Sequence, residues 1–322
     1  MLTAISGSGQ LINLVKDGLP QKQPFYCPAC RQPMRLRNGK IKRPHFAHLT
    51  LDDCHFYQEN ESAEHLGLKA KLFQNLSLVQ QVEIERVLPQ IHQIADLLIN
   101  QQLAIEVQCS PLSKERLKER TDSYRQSGIF VLWLLGEKLW LKKRLTALQR
   151  QFLYFSKNLG FHLWELDLKR NQLRLRYLIH EDWKGQVHYL SRQVSLDGDI
   201  WSLLHFPYRS QKMARLDVVM DTDLLTYIRR QIGYQSPRWH HLQAEAYRKG
   251  DNLLTKDLAY FYPQVRPVAS KDGFAQISHD LSSYQAHFMA YYQRQGSQKV
   301  QILYPPAFYD KMEKIKMNKG EN

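Results

Sequence analysis

Asp96, Glu106 and Gln108 form a D-x9-E-x-Q pattern inside two short apolar segments, residues 94–99 and 103–108. A carboxylate in such surroundings is costly unless it is paired or binds a metal. Taking Asn100-Gln101-Gln102 as a three-residue hairpin turn pairs Ile99 with Leu103 and sets Asp96 directly opposite Glu106. Cross-strand partners lie close together on one face, and Gln108, two residues beyond Glu106, points to the same side. Two carboxylates so placed repel each other unless a divalent cation sits between them. Mg2+ takes oxygen ligands and keeps several waters. Held here, it could bridge both carboxylates and a phosphodiester oxygen, and lower the pKa of a bound water. Gln108 cannot give a proton as a lysine ammonium does, but it could orient a water or a phosphate oxygen. The plainer alternative has Asp96 capping a turn and Glu106 paired with a nearby Arg or Lys.

A second constellation lies upstream. Cys27-Pro28-Ala29-Cys30 is a C-x2-C knuckle, followed by His45-Phe46-Ala47-His48 and Cys54. Cys27, Cys30, His48 and Cys54 would make a closed tetrahedral zinc site with no position left for a substrate. His45 could take the place of His48, and a metal-free cluster of small buried thiols is the alternative to both. Cys109 reads as a buried apolar residue, because no activating partner is evident.

Glu64, His65 and Lys69 share one helical stretch, with His65 and Lys69 one turn apart. Either could carry a proton or touch a phosphate; both could equally be surface. Beyond the acidic pattern, Lys114, Lys118, Arg120 and Tyr124 share a second helical stretch. An Arg can hold a phosphate bidentately and a Tyr can stack on a base, although a solvated basic face is the default. Further on, Arg238-Trp239-His240-His241, Tyr247-Arg248-Lys249 and Tyr260-Phe261-Tyr262 interleave basic and aromatic residues. A single-strand track or an ordinary helical core explains them about equally well.

These groups must be positioned by elements that the pattern foreshadows. Asn60 or Ser62 caps a helix with Ala63, Leu66, Ala70 and Phe73 on its apolar side. Residues 82–87 alternate as a strand, and the acidic hairpin follows. Ser110-Pro111 opens a helix that runs to about Gln126 and ends at Gly128. Residues 129–134 form a continuous apolar strand suited to a buried position. The order helix, strand, strand, strand, helix, strand makes a compact α/β unit.

Afterwards Leu141, Leu145, Leu148, Phe152 and Phe155 repeat at helical spacing, and residues 161–180 read as a long hairpin turning near Arg170-Asn171. Residues 222–262 read as helices broken at Ser236-Pro237, and residues 311–322 as a fraying basic tail. Three regions result: a zinc-finger-like module over 1–58, a nuclease-like unit over 59–140, and a mixed, largely helical region over 141–322.

The 322 residues carry a net charge of +14, which points to a polyanionic partner, nucleic acid before membrane. No stretch approaches the ~20 apolar residues needed to span a bilayer, and the first residues lack the pattern of a secretory leader. Four cysteines do not make a disulfide framework and suit a reducing cytoplasm.

The run from the cysteine knuckle through His45–His48, Cys54, Glu64-His65, Ala95-Asp96 and residues 105–110 resembles the competence protein CoiA family, and the likeness continues to Gly136. The resemblance implies a restriction-endonuclease-like αβββαβ core of the PD-(D/E)XK type, behind a zinc-binding N-terminal module. It places acidic catalytic positions at Glu64, Asp96 and Glu106, with Gln108 where a Lys is usual. Arg120-x3-Tyr124 resembles the Q-x3-Y helix of RecB-type nucleases, with Arg for Gln. It also implies structural zinc, catalytic Mg2+ or Mn2+ on Asp96 and Glu106, and DNA contacts from Lys69, Lys118, Arg120 and Tyr124. The expected activity is cleavage of single-stranded or branched DNA during transformation. Two alternatives stand beside it: a catalytically inactive DNA-binding mediator that recruits a recombinase, and a structural zinc protein that binds another protein.

Overall fold

A computed structural model describes residues 1–49, 54, 56 and 61–320, the last four by their backbone alone. Asn60, one of the two expected helix caps, lies outside the described residues. The N-terminal module is a five-stranded antiparallel sheet in the order β2-β1-β3-β4-β5, built from β1 (Thr3–Ser6), β2 (Leu11–Asn13), β3 (Phe25–Tyr26), β4 (Pro33–Arg37) and β5 (His45–His48). Its small core gathers Ala4, Leu14, Phe25, Met34 and Phe46 with Cys27 and Cys54.

The predicted αβββαβ order follows: α1 (Ala63–Leu76), β6 (Val82–Leu88), β7 (Gln93–Ile99), β8 (Leu103–Gln108), α2 (Lys114–Gln126) and β9 (Phe130–Leu135). Ser62 caps α1 by accepting from the backbone of His65 at 3.1 Å. The expected register holds, with Ile99 opposite Leu103 across a turn of residues 100–102. β8 and β9 are parallel, and α2 is the crossover between them. Five of the six β9 residues are buried, as a strand covered on both faces requires. One boundary moves: α2 begins after Ser113, which accepts from Arg116 N, and not at Ser110, whose carbonyl is taken by the Gln108 side chain at 2.7 Å.

Residue 140 does not end the sheet. Next come α3 (Ala147–Gln151), β10 (Tyr154–Ser156), β11 (Gly160–Asp167), β12 (Gln172–Asp182) and β13 (Val187–Ser195). β11 pairs in parallel with β9, and the main path of the nine-stranded sheet runs β13-β12-β11-β9-β8-β7-β6. β11 and β12 form the hairpin expected near Arg170-Asn171. The apolar repeat from Leu141 to Phe155 is not one helix; only Ala147–Gln151 is helical. Tertiary partners take backbone groups of this stretch: Val187 N donates to Lys143 O at 3.0 Å, and Tyr154–Ser156 pair with β11. Glu165 accepts from Leu141 N at 2.7 Å, and the Gln149 amide donates to the carbonyls of Leu139 and Trp140 at 3.0 and 2.9 Å.

The remainder is α4 (Ile200–His205), β14 (Leu216–Val219), α5 (Leu224–Gly233), α6 (Pro237–Arg248), β15 (Val265–Pro267), α7 (Ser282–Gln295), β16 (Val300–Leu303) and α8 (Pro306–Gly320). β15 adds to β12, and β14 pairs with β16. α5 and α6 meet at Ser236-Pro237 as predicted, and Trp239 with Phe261 centres their separate core. The expected fraying tail is helical to Gly320, anchored by buried Tyr309 and an Arg294–Glu313 ion pair at 2.8 Å. Among the described residues no helix is long and apolar enough to cross a membrane.

His162 on β11 and His180 on β12 are fully buried, and each Nδ1–H donates to a backbone carbonyl at 2.8 Å. Burial pushes both imidazoles down to about 4. An unfolded histidine titrates near ~6.5, so below that pH the unfolded chain binds protons that the folded chain refuses. Stability is therefore lost as pH falls from about 6.5 towards 4. At about pH 5 the cost comes to about 2 kcal/mol per histidine. Urea unfolding at neutral pH and at about pH 5 should show this loss, and His180→Phe should remove part of the difference. Identical midpoints at the two pH values would contradict it.

Candidate active site

Three neighbouring strands each place one carboxylate in the same row. The β6–β7 register sets Glu85 opposite Asp96, and the β7–β8 register sets Asp96 opposite Glu106. The regular pairing skips this row on both sides: it runs past Glu85 between Ile84 and Arg86, and stops at Leu97–Ile105. Glu85 has a φ of 52°, in the left-handed region that a residue with a Cβ rarely enters. Asp96 instead uses its side chain to accept from Val107 N at 2.9 Å.

Helix α1 supplies the compensating charge. Lys69 is 1% exposed. Its Nζ lies 2.6 Å from Glu85 Oε1 and 3.4 Å from Asp96 Oδ1, and it also donates to Glu61. One turn earlier, His65 Nε2 is 2.9 Å from Asp96 Oδ2, and its Nδ1 is 3.5 Å from Glu61. Burial works against an ionised Asp96, but His65 and Lys69 outweigh it and hold the carboxyl well below the usual carboxylate range. Burial likewise opposes the Lys69 charge, but the surrounding carboxylates hold its pKa well above the usual lysine range. Glu85 does a second job: its carboxylate accepts from Leu2 N, Thr3 N and Thr3 Oγ1 at 2.7–2.8 Å. The first strand of the N-terminal module is thereby fastened to the edge of the acidic row.

Glu106 is gripped from α2. Tyr124 donates to Glu106 Oε1 at 2.5 Å, and the Arg120 guanidinium stands 2.9 Å from the same oxygen. Gln93 holds Arg120 in turn, and Trp133 stacks beneath it at 4.8 Å. Burial raises the Glu106 pKa despite Arg120, and the Asp96 charge adds to the rise. The Gln108 side chain is 8% exposed and tied to the Ser110 carbonyl.

Asp96, Glu106, Gln108, His65 and Glu64 line a cleft of about 910 Å3 whose opposite wall is the N-terminal module. Glu64 lies apart from the cluster around Asp96, because its carboxylate accepts from Glu137 N at 2.8 Å. Among the described residues of the cleft, oxygen and nitrogen atoms of Glu61, His65 and Asp96 lie within 4.8 Å of one another and could hold an ion. Lys69, expected at the DNA, is enclosed by carboxylates and has no exposed charge to offer a phosphate. Arg120 and Tyr124 reach inward to Glu106, and Lys118 is exposed outside the cleft lining. Lys114 pairs with Asp272.

Sequence reasoning missed Glu61 and Glu85. Glu61 sits just outside the helix, where periodicity says nothing. Glu85 was hidden in V-E-I-E-R, where it alternates exactly as Glu83 does; only the second strand of partners separates the two.

Upstream, Cys27, Cys30, His48 and Cys54 bring their sulfur and nitrogen atoms within 4.8 Å of one another, a Cys3His set that could hold zinc. Cys30 Sγ lies 3.4 Å from His48 Nε2. Burial pushes the metal-free Cys27 thiol up to about 12. His45 is not in the cluster; its Nδ1–H donates to Arg43 O at 2.9 Å.

Two outcomes follow from this geometry. Glu85→Ala should cost about 3–5 kcal/mol in urea unfolding, because it strips one partner from a buried cation. The Glu85→Gln/Lys69→Met pair should cost less than the sum of its single changes; strict additivity would mean the two side chains do not interact. For the cysteine cluster, elemental analysis should find about one zinc per chain. His48→Ala should lose it and His45→Ala should keep it.

Comparison with known proteins agrees with the module order. The model of the nuclease-like domain of competence protein CoiA matches residues 61–197, ending just past β13, and the model of its N-terminal domain matches residues 13–57. Competence protein CoiA of Bacillus subtilis (strain 168) is 32% identical over 120 residues, which are 36% of this chain and 32% of that protein. The aligned part thus spans about a third of that relative. No solved structure matches the chain. With two domain models of one family matching in sequence order over more than half of its 322 residues, the chain belongs to the competence protein CoiA family.

Proposed function

We propose that the chain is a metal-dependent DNA phosphodiesterase that acts on incoming or recombining strands during competence. The observation that carries this reading is the acidic row of Glu85, Asp96 and Glu106 opening into a cleft that also presents Arg37, Lys42, Arg116 and Lys138. Acidic groups on the floor suit a cation, and basic groups on the rim suit a polyanion.

Asp96, His65 and Glu61 would hold the ion, and the presence of an imidazole favours Mn2+ over Mg2+. When bound, a divalent ion supplies Lewis-acid stabilisation of the scissile phosphate and a more acidic water. The remaining tasks belong to the chain. Lys69 keeps Asp96 ionised and fixes its direction. Glu106, with its raised pKa, is better suited than Asp96 to exchange a proton. Arg120 orients Glu106, and Gln108 stands beside the floor in the place where a lysine is usual.

A second reading has its own support. Asp96 and Glu106 both have cationic partners already, and the Gln108 amide is engaged by a backbone carbonyl. This suits a DNA-binding mediator that has kept a nuclease fold without turnover.

Labelled single-stranded and branched DNA incubated with purified protein separates the two. Cleavage should require Mn2+ or Mg2+, and Asp96→Asn should slow it by about a hundredfold or more. Glu83→Gln, on the same strand as Glu85 but outside the row, should cut normally. Salt-sensitive binding without cleavage by the unaltered protein, together with normal transformation by Asp96→Asn cells, would establish the mediator instead.

A further inference from the structure

The cleft over Asp96 has two walls of separate origin. The nuclease-like unit contributes Arg116, Lys138 and Leu112; the N-terminal module contributes Arg37, Lys42 and Leu49. We propose that this cleft takes a single DNA strand and not a duplex, and that Arg37 and Lys42 hold the strand's phosphates from the zinc-bearing side. The proposal rests on reading the cleft as a nucleic-acid site, and it adds the form of the substrate and the wall that selects it.

Three observations carry it. The first is size. About 910 Å3 is close to the upper end of the ~300–1,000 Å3 typical of enclosed ligand sites. That volume accommodates a short run of nucleotides. A duplex, whose major groove alone is ~12 Å wide, cannot be enclosed in it.

The second is lining chemistry. The cleft offers apolar surface beside its cations: Leu49 is 59% exposed, and Ile94 and Leu112 are half-buried. A duplex presents sugar and phosphate and hides the faces of its bases. A single strand presents both, and gains from apolar contacts to bases as well as from basic groups along its backbone.

The third is that the N-terminal wall is fastened in place. Glu85 holds Leu2 and Thr3, and Lys42 Nζ donates to Glu61 O at 2.8 Å. Opening the cleft enough for a duplex would break these bonds and leave the Glu85 carboxylate buried without its backbone donors, a costly state.

The test is fluorescence anisotropy of the full zinc-loaded chain, without added Mg2+ or Mn2+ so that no strand is cut. The probes are labelled oligo-dT of about 12 nucleotides and a blunt duplex of the same length. The strand should bind about tenfold or more tightly than the duplex at equal salt. Arg37→Glu should weaken strand binding by a similar factor, with zinc content and unfolding midpoint unchanged, and adding Lys42→Glu should weaken it further. Duplex binding equal to or tighter than strand binding would overturn the proposal, and so would unchanged strand binding by a folded, zinc-loaded Arg37→Glu chain. Strand binding of the expected kind without cleavage after Mn2+ is added would uphold this assignment while removing the phosphodiesterase reading.

Discussion

A single buried ammonium holds the site together. Lys69 brings its charge to carboxylates from three parts of the chain: Glu61 ahead of α1, Glu85 on β6 and Asp96 on β7. Negative side chains this close and this sheltered from water would drive the strands apart or take up protons. With the cation among them, the sheet can carry an acidic row across adjacent strands. Helix, sheet edge and N-terminal strand then converge at one point, since Glu85 turns its other lone pairs to Leu2 and Thr3. The left-handed backbone at Glu85 is understandable on these terms, because the strain of order 1–3 kcal/mol is offset by bonds that the regular strand could not offer.

Two neighbours in the row, Asp96 and Glu106, are electrostatically unlike. Around Asp96, two basic groups overcome the effect of burial and the carboxyl stays ionised; around Glu106, burial and the Asp96 charge prevail over one guanidinium and the pKa rises. Environments that push neighbouring carboxyls in opposite directions are how one site supplies both a permanent anion and a proton carrier. The division depends on which helix faces which strand. α1 brings His65 and Lys69 to β7, and α2 brings Arg120 and Tyr124 to β8. An (i, i+4) pair from each helix therefore sets the character of one carboxylate.

Local signals in the sequence carried much of this. The hairpin register followed from a three-residue turn and a run of apolar residues, because a slip by one would have turned every core side chain to the wrong face. The αβββαβ order and the cysteine knuckle were equally local. What escaped were effects of distance. β9 and β11 pair in parallel across intervening elements, and nothing near residue 140 announces it. The apolar spacing from Leu141 to Phe155 is genuine, but Glu165 and Val187 reach in from elsewhere to claim its backbone. Lys69 was visible as a basic residue near the motif, yet its burial depends on carboxylates that only tertiary contacts bring together.

The parallel seam between β9 and β11 bears on how the chain can be dissected. β9 lies inside the sheet with apolar side chains on both faces, and its far edge is met by the Tyr154 hydroxyl, 21 and 23 positions downstream of its partners Trp133 and Val131, and by β11 beyond it. A fragment ending at the apparent border near residue 140 would bare that edge, a ready template for joining another copy strand to strand. Insolubility of such a piece would report a severed seam and say nothing about the chemistry of the cleft.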